Sequence, residues 1–337
     1  MNSTFSSRLG PLRGRRLVLT WAVLGVVGAL AVATLLVVNG QSAGAGEMRT
    51  ARVISDNSSM PGFAGALPES ANPVGDAAPP VAAAPLAGAA QAGMPMASSR
   101  PVQALADHPL FAQHAGLGRV DCRLPAWRDD PETARAFYRA AIACLDASWE
   151  PTLRGAGLPF HPPRLLAPAE SRDVVSQCVQ RLRNGPATFY CALDETLVLP
   201  YDAIRPQTGG SRRGAQLAVL TTEYGHHVQN LIGVTQAYTE KRSNLGKDTA
   251  AGQEQSRRME LQARCFSGMF LGTNFGRGDI DQQTWTEASR TVRGIGDTGS
   301  QRMQGTEENV WGWWKWGSDK GDTWECNTWY SSPAHVA

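Results

Sequence analysis

The sequence has no Cys-x-x-Cys pair, no internal repeat and almost no excess of charge. The first absence argues against a structural zinc site built from four cysteines, and the second against a repeat array. The third, 32 basic residues against 30 acidic ones for a net charge of +2, argues against nucleic acid as the main partner. The segment 61–100 also lacks anything to bury: Ala, Pro and Gly make up 25 of its 40 residues, so it cannot hold a core. The stretch 39–105 therefore reads as a disordered Ala/Pro/Gly-rich linker, with an end-to-end distance of about 45 Å if it behaves as a random coil.

What precedes the linker is apolar. Arg8, Arg13, Arg15 and Arg16 stand just before an uncharged run over 17–38, which would span about 33 Å as a helix and so cross a bilayer core of roughly 30 Å. By the positive-inside rule residues 1–16 form a cytoplasmic tail, 17–38 a single transmembrane anchor, and everything beyond lies outside the cytoplasm. The competing reading is a signal peptide cut near Ser42-Ala43-Gly44-Ala45. Either one exports the domain at 106–337, and the expected location is the cell membrane.

All six cysteines, Cys122, Cys144, Cys178, Cys191, Cys265 and Cys326, fall in the exported part, where an even number suggests disulfides. Because short loops close most easily, the expected pairs are Cys122 with Cys144, Cys178 with Cys191, and Cys265 with Cys326.

Helical spacing appears over 133–149, with Phe137, Ala141, Cys144 and Leu145 on one face after an Asp130-Pro131 start. Two short apolar runs, 187–191 and 196–199, suit strands around a turn at Asp194-Glu195. Further helices are expected over 214–234, 251–270 and 281–295. Six tryptophans crowd into 311–329 and read as core and wall, because basic residues are not interleaved densely enough for a phosphate track. His108, His114 and His335 read as solvated.

The run Thr221-Thr222-Glu223-Tyr224-Gly225-His226-His227 carries the chemistry. In H-E-x-x-H two histidines one helical turn apart hold zinc and the glutamate acts as general base. Here Glu223 and His226 occupy the second and fifth positions, but Thr222 stands at the first, and a threonine hydroxyl is a poor zinc ligand. His227 is rotated about 100° from His226 on an unbroken helix, so the two cannot easily face one ion. Glu223 beside His226 also has the i, i+3 spacing of carboxylate-bridged metal sites. Glu260, in Glu260-Leu261-Gln262-Ala263-Arg264-Cys265, is the candidate third ligand on a later helix, and Arg264 lies four residues on, where it can reach the Glu260 carboxylate.

Taken with Gly185-Pro186, the run Phe189-Tyr190-Cys191-Ala192-Leu193-Asp194, and the closing Gly321-Asp322 with Cys326-Asn327-Thr328-Trp329, these motifs resemble the neutral zinc metallopeptidase family of bacteria. That family reads HEYGHHVQ, ELQADC, GPFYCPAD and a final GD with CNTF or CDTF, over approximately 170–330 here. The resemblance implies a zincin-like domain, α+β and mainly helical, with zinc on His226 and Glu260 and with Glu223 as general base. It also marks departures: Thr222 where the first zinc histidine belongs, Arg264 where an aspartate orients that histidine, and Gln304 where a further histidine assists the reacting centre.

Two functions are compatible with this pattern. One is a membrane-anchored extracytoplasmic member with a degenerate site that binds a peptide or a cell-envelope partner. The other is an active zinc endopeptidase with an irregular ligand set of His226, Glu260 and a third group such as His227.

Overall fold

The computed structural model describes residues 99–337 except 113, 186, 211 and 299–301. The expected tail, membrane span and most of the linker lie outside the described residues.

The described chain is mainly helical with one small sheet. In order it runs α1 (Pro109–Ala112), α2 (Pro131–Gly155), β1 (Arg164–Leu166), β2 (Phe189–Cys191), β3 (Thr196–Val198), α3 (Tyr201–Thr208), α4 (Arg213–Ile232), α5 (Val234–Leu245), α6 (Ala250–Thr273), α7 (Gln282–Arg293) and α8 (Glu307–Lys320). Three of the long helices begin where a short polar side chain accepts from an unpaired first-turn amide, as expected of such caps: Asp130 from Thr133 N, Thr249 from Gly252 N, and Asp281 from Thr284 N. Pro131 follows the first of these caps and costs no hydrogen bond there. The face of α2 bearing Phe137, Tyr138, Ala141, Leu145 and Trp149 is buried, and Trp149 meets Phe266 of α6 edge to face at 5.1 Å. Helix α6 packs on α8 and α4, and α4 also packs on α7.

The sheet has the order β1-β3-β2. β2 and β3 are antiparallel, with Tyr190 opposite Leu197, and β1 joins β3 in parallel, with Leu165 opposite Leu197. The connection is tight enough to hold Glu195 at φ 53°. Val174, Phe189, Cys191 and Val198 form the small core beneath the sheet.

Several expectations are corrected. The helix expected over 214–234 is α4, which ends two residues early at Ile232 because Gly233 takes a left-handed φ of 96°, and α5 follows it unforeseen. The last carbonyl of α4, on Ile232, then has no intrahelical donor. It accepts from Val102 N at 2.8 Å and from His108 Nε2 at 3.0 Å. The chain is thus tied down from 102 onward, inside the stretch expected to be linker, and His108 is fully buried rather than solvated.

Two of the expected disulfides are present, Cys178–Cys191 and Cys265–Cys326. The third is not. Cys122 and Cys144 remain thiols, close enough to shift each other's titration in opposite directions. Loop length identified the neighbours, but it does not decide whether the two sulfurs have been joined.

Candidate functional site

Helices α4 and α6 cross at Gly225 and Ala263. A Cβ on Gly225 would lie 2.8 Å from the Ala263 carbonyl oxygen and 3.0 Å from its Cα, closer than side chains tolerate. That crossing aligns the polar residues of the two helices in pairs. One turn along, His226 Nε2 lies 3.4 Å from Glu260 Oε2. On the other side of the crossing, Arg264 Nη1 donates to Thr222 Oγ1 at 3.2 Å. The site is only partly open to solvent: the Glu260 side chain is 35% exposed and that of His226 15%.

The expected contact between Arg264 and Glu260 is therefore corrected. Although the two lie one turn apart on α6, the hydrogen bond of Arg264 goes across to α4, and Glu260 is taken by His226. Arg264 acts on Glu260 only through its charge. Two of the three departures from the family pattern, Thr222 and Arg264, touch each other.

The electrostatics follow from this packing. Burial would raise the Glu260 carboxyl, but His226, then Arg264 and Arg181, outweigh it and hold the group at about 2. Burial pushes Glu223 up, with His226 and Arg264 opposing and Glu260 adding to the rise. For His226 burial works downward, yet Glu260 and Glu223 overcome it and the imidazole titrates above its ordinary value.

His226 Nδ1 faces Gln229 Oε1 at 2.8 Å, while the Gln229 amide nitrogen donates to Met259 O and Gln262 Oε1. Gln229 Oε1 is therefore an acceptor, as is Glu260 Oε2. Each imidazole nitrogen thus faces an acceptor, which favours the protonated ring.

Glu223, the expected general base, accepts from Tyr190 N of β2 at 2.8 Å. His227 is buried and held at about 4 by that burial, hence neutral. Its Nε2 donates to the His161 carbonyl at 2.9 Å, which leaves Nδ1 to accept from the Tyr190 hydroxyl at 3.0 Å. With both nitrogens engaged, His227 does not serve as a third ligand. Gln304 is exposed in the loop before α8, its N–H donating to Asp297 at 2.7 Å; no hydrogen bond carries it to Glu223, His226 or Glu260.

The residues present do not fit a catalytic zinc, which needs three protein donors with free lone pairs. Thr222 donates to Ala218 O at 2.8 Å and accepts from a cation, which leaves His226 and Glu260 as two donors where three are needed. Among the described residues no group of three or more His, Cys, Asp or Glu side chains converges as a metal site.

Sequence reasoning missed Tyr190, Gln229 and Arg181 as parts of the site. Gln229 was discoverable at i+3 from His226, and Tyr190 from its place in a quoted motif. Arg181 carries no such signal; it comes near through the turn Val179–Asn184 and lies over the Phe189 ring at 5.5 Å.

The profile of a family described as "Putative neutral zinc metallopeptidase" matches residues 124–329. The chain is 28% identical over 211 residues to the uncharacterized protein YpfJ of Escherichia coli (strain K12), covering 58% of this chain and 72% of that protein. It is 36% identical over 135 residues to the uncharacterized proteins Mb2605 of Mycobacterium bovis and Rv2575 of Mycobacterium tuberculosis, covering 37% of this chain and 40% of each. No solved structure matches the chain.

Proposed function

The chain belongs to the neutral zinc metallopeptidase family, and from that premise we propose a membrane-anchored extracytoplasmic member that binds rather than cleaves. Its metal centre has given way to an ion-paired polar cluster, and the site receives a peptide or a cell-envelope partner. The observation that carries this reading is the Arg264–Thr222 hydrogen bond: a permanent cation stands against the residue that replaces the first zinc histidine. The four arginines before the apolar run 17–38 support the anchor.

Elemental analysis of the purified chain tests it, with no stoichiometric zinc expected. Thr222→His together with Arg264→Asp removes the cation and restores ligand and orienting carboxylate at once. It should raise zinc affinity by at least about 100-fold, since an orienting partner alone is worth 10- to 100-fold. Stoichiometric zinc in the parent, with peptide hydrolysis lost on chelation, would sink the reading.

A further inference from the structure

Arginines on α6 come in two states. Arg258, buried, is fully partnered: Nε and Nη2 donate to Glu254 at 2.9 and 2.7 Å, and Nη1 to the carbonyls of Thr328 and Ser331. Arg264 is half-buried at the crossing with α4, and among the described residues its side chain makes one hydrogen bond, from Nη1 to Thr222. Among the described residues no carboxylate lies within 4.0 Å of it, because Glu260 is paired with His226 and Glu223 accepts from Tyr190 N. The Nε–Nη2 edge of a guanidinium is the one that meets a carboxylate through two parallel N–H···O bonds. In Arg264 that edge donates to no protein group among the described residues. Its nitrogens are not buried, so that edge faces water, which a ligand group offering two acceptors can displace.

The geometry points to a ligand carboxylate as the missing partner of Arg264, presented by the C-terminus of a peptide or by an acidic side chain. Charge selects a carboxylate over a phosphate. Glu223 and Glu260 both lie within the electrostatic reach of Arg264, so a second negative charge on the ligand, which phosphate carries in part near neutral pH, adds repulsion without using the fork better. This inference rests on the metal-free binding site proposed above and names what it binds.

The test is calorimetric titration of the full chain in detergent micelles, with the zinc content of the same sample measured. The probes are N-acetyl-dialanine as the free acid, the same peptide as its C-terminal amide, N-acetyl-aspartate amide, and inorganic phosphate. At least one of the two acids should bind about tenfold or more tighter than the dialanine amide, the size expected of hydrogen bonds to a charged group. The tighter of the two identifies the source of the carboxylate. Arg264→Gln should erase the difference, and Arg264→Lys should keep only part of it, since it retains the charge and loses the fork.

Equal binding of acids and amide, no binding of either acid, discrimination that survives in Arg264→Gln, or phosphate binding tighter than both acids overturns the proposal. If Arg264→Gln fails to fold, an acid-to-amide ratio in Arg264→Lys equal to the parent's overturns it as well. A zinc-loaded, hydrolysing sample refutes the metal-free reading. A zinc-free sample without acid preference refutes only the carboxylate.

Discussion

Glu260 and His226 depend on pH in opposite directions, and the site's stability should show it. Burial opposes the charged form of Glu260, but His226, Arg264 and Arg181 hold its carboxyl at about 2, against 4.5 when free. Its contribution is thus fully present above 4.5 and lost as pH falls through 2. His226 is raised above 6.5, so its contribution is full below that value and declines as pH rises through the folded one. The pair stabilises most between those limits. For Glu260→Gln, the gap from the parent in urea unfolding should be widest near about pH 5.5 and narrow toward about pH 2.5 and pH 9. With the carboxylate partly exposed and screened, the gap at its widest should be about 1 kcal/mol. A gap independent of pH would mean that the two groups do not titrate against each other. His226 and Glu260 were legible as partners because the motif places them on facing helices. The Arg264–Thr222 contact was not, since spacing along α6 favours Glu260 and only the crossing of two helices decides otherwise.

At the scale of elements, the Gly225–Ala263 crossing sets both contacts at once. Gly225→Ala would put a methyl 2.8 Å from the Ala263 carbonyl oxygen and 3.0 Å from its Cα, and helix backbones cannot yield as a flexible side chain can. The helices must separate, which should lower stability by about 1–3 kcal/mol and lengthen the His226–Glu260 and Arg264–Thr222 distances together. Urea unfolding reads the first effect. The second appears as a fall in the His226 pKa followed by NMR, because an imidazole parted from its carboxylates keeps only the burial that works downward. An unchanged His226 titration in a destabilised variant would show that the loss lies elsewhere. Helices α2, α4, α6 and α7 were readable because each carries apolar residues at helical spacing. Helix α8 was not: its Trp313, Trp314 and Trp316 break the expected periodicity, although Thr306 caps its start by accepting from Asn309 N. Strand β1 spans three residues and, among the described residues, pairs with β3 alone, too little local signal to notice.

Across the molecule, the two disulfides should differ in weight, and the difference bears on the site. Cys178–Cys191 spans a separation of 13 residues and ties the turn carrying Arg181 to β2, whereas Cys265–Cys326 spans 61 and ties α6, one residue past Arg264, to the C-terminal segment. Cross-links act mainly by restricting the unfolded chain, so the longer loop should contribute more, about 4 kcal/mol against about 3. Cys265→Ala with Cys326→Ala should therefore lower the urea midpoint further than Cys178→Ala with Cys191→Ala, and reductant should add little to the double loss in a chain lacking all four. The site sharpens the contrast. Removing the short bridge frees the support for Arg181 and Tyr190 but leaves α4 against α6, so the His226 titration should shift modestly. Removing the long bridge loosens the helix that carries both Glu260 and Arg264 and should shift it more. If the short bridge proves the more costly to lose, chain entropy is not what these cross-links contribute, and the small core around Val174, Phe189 and Val198 depends on its disulfide for packing instead.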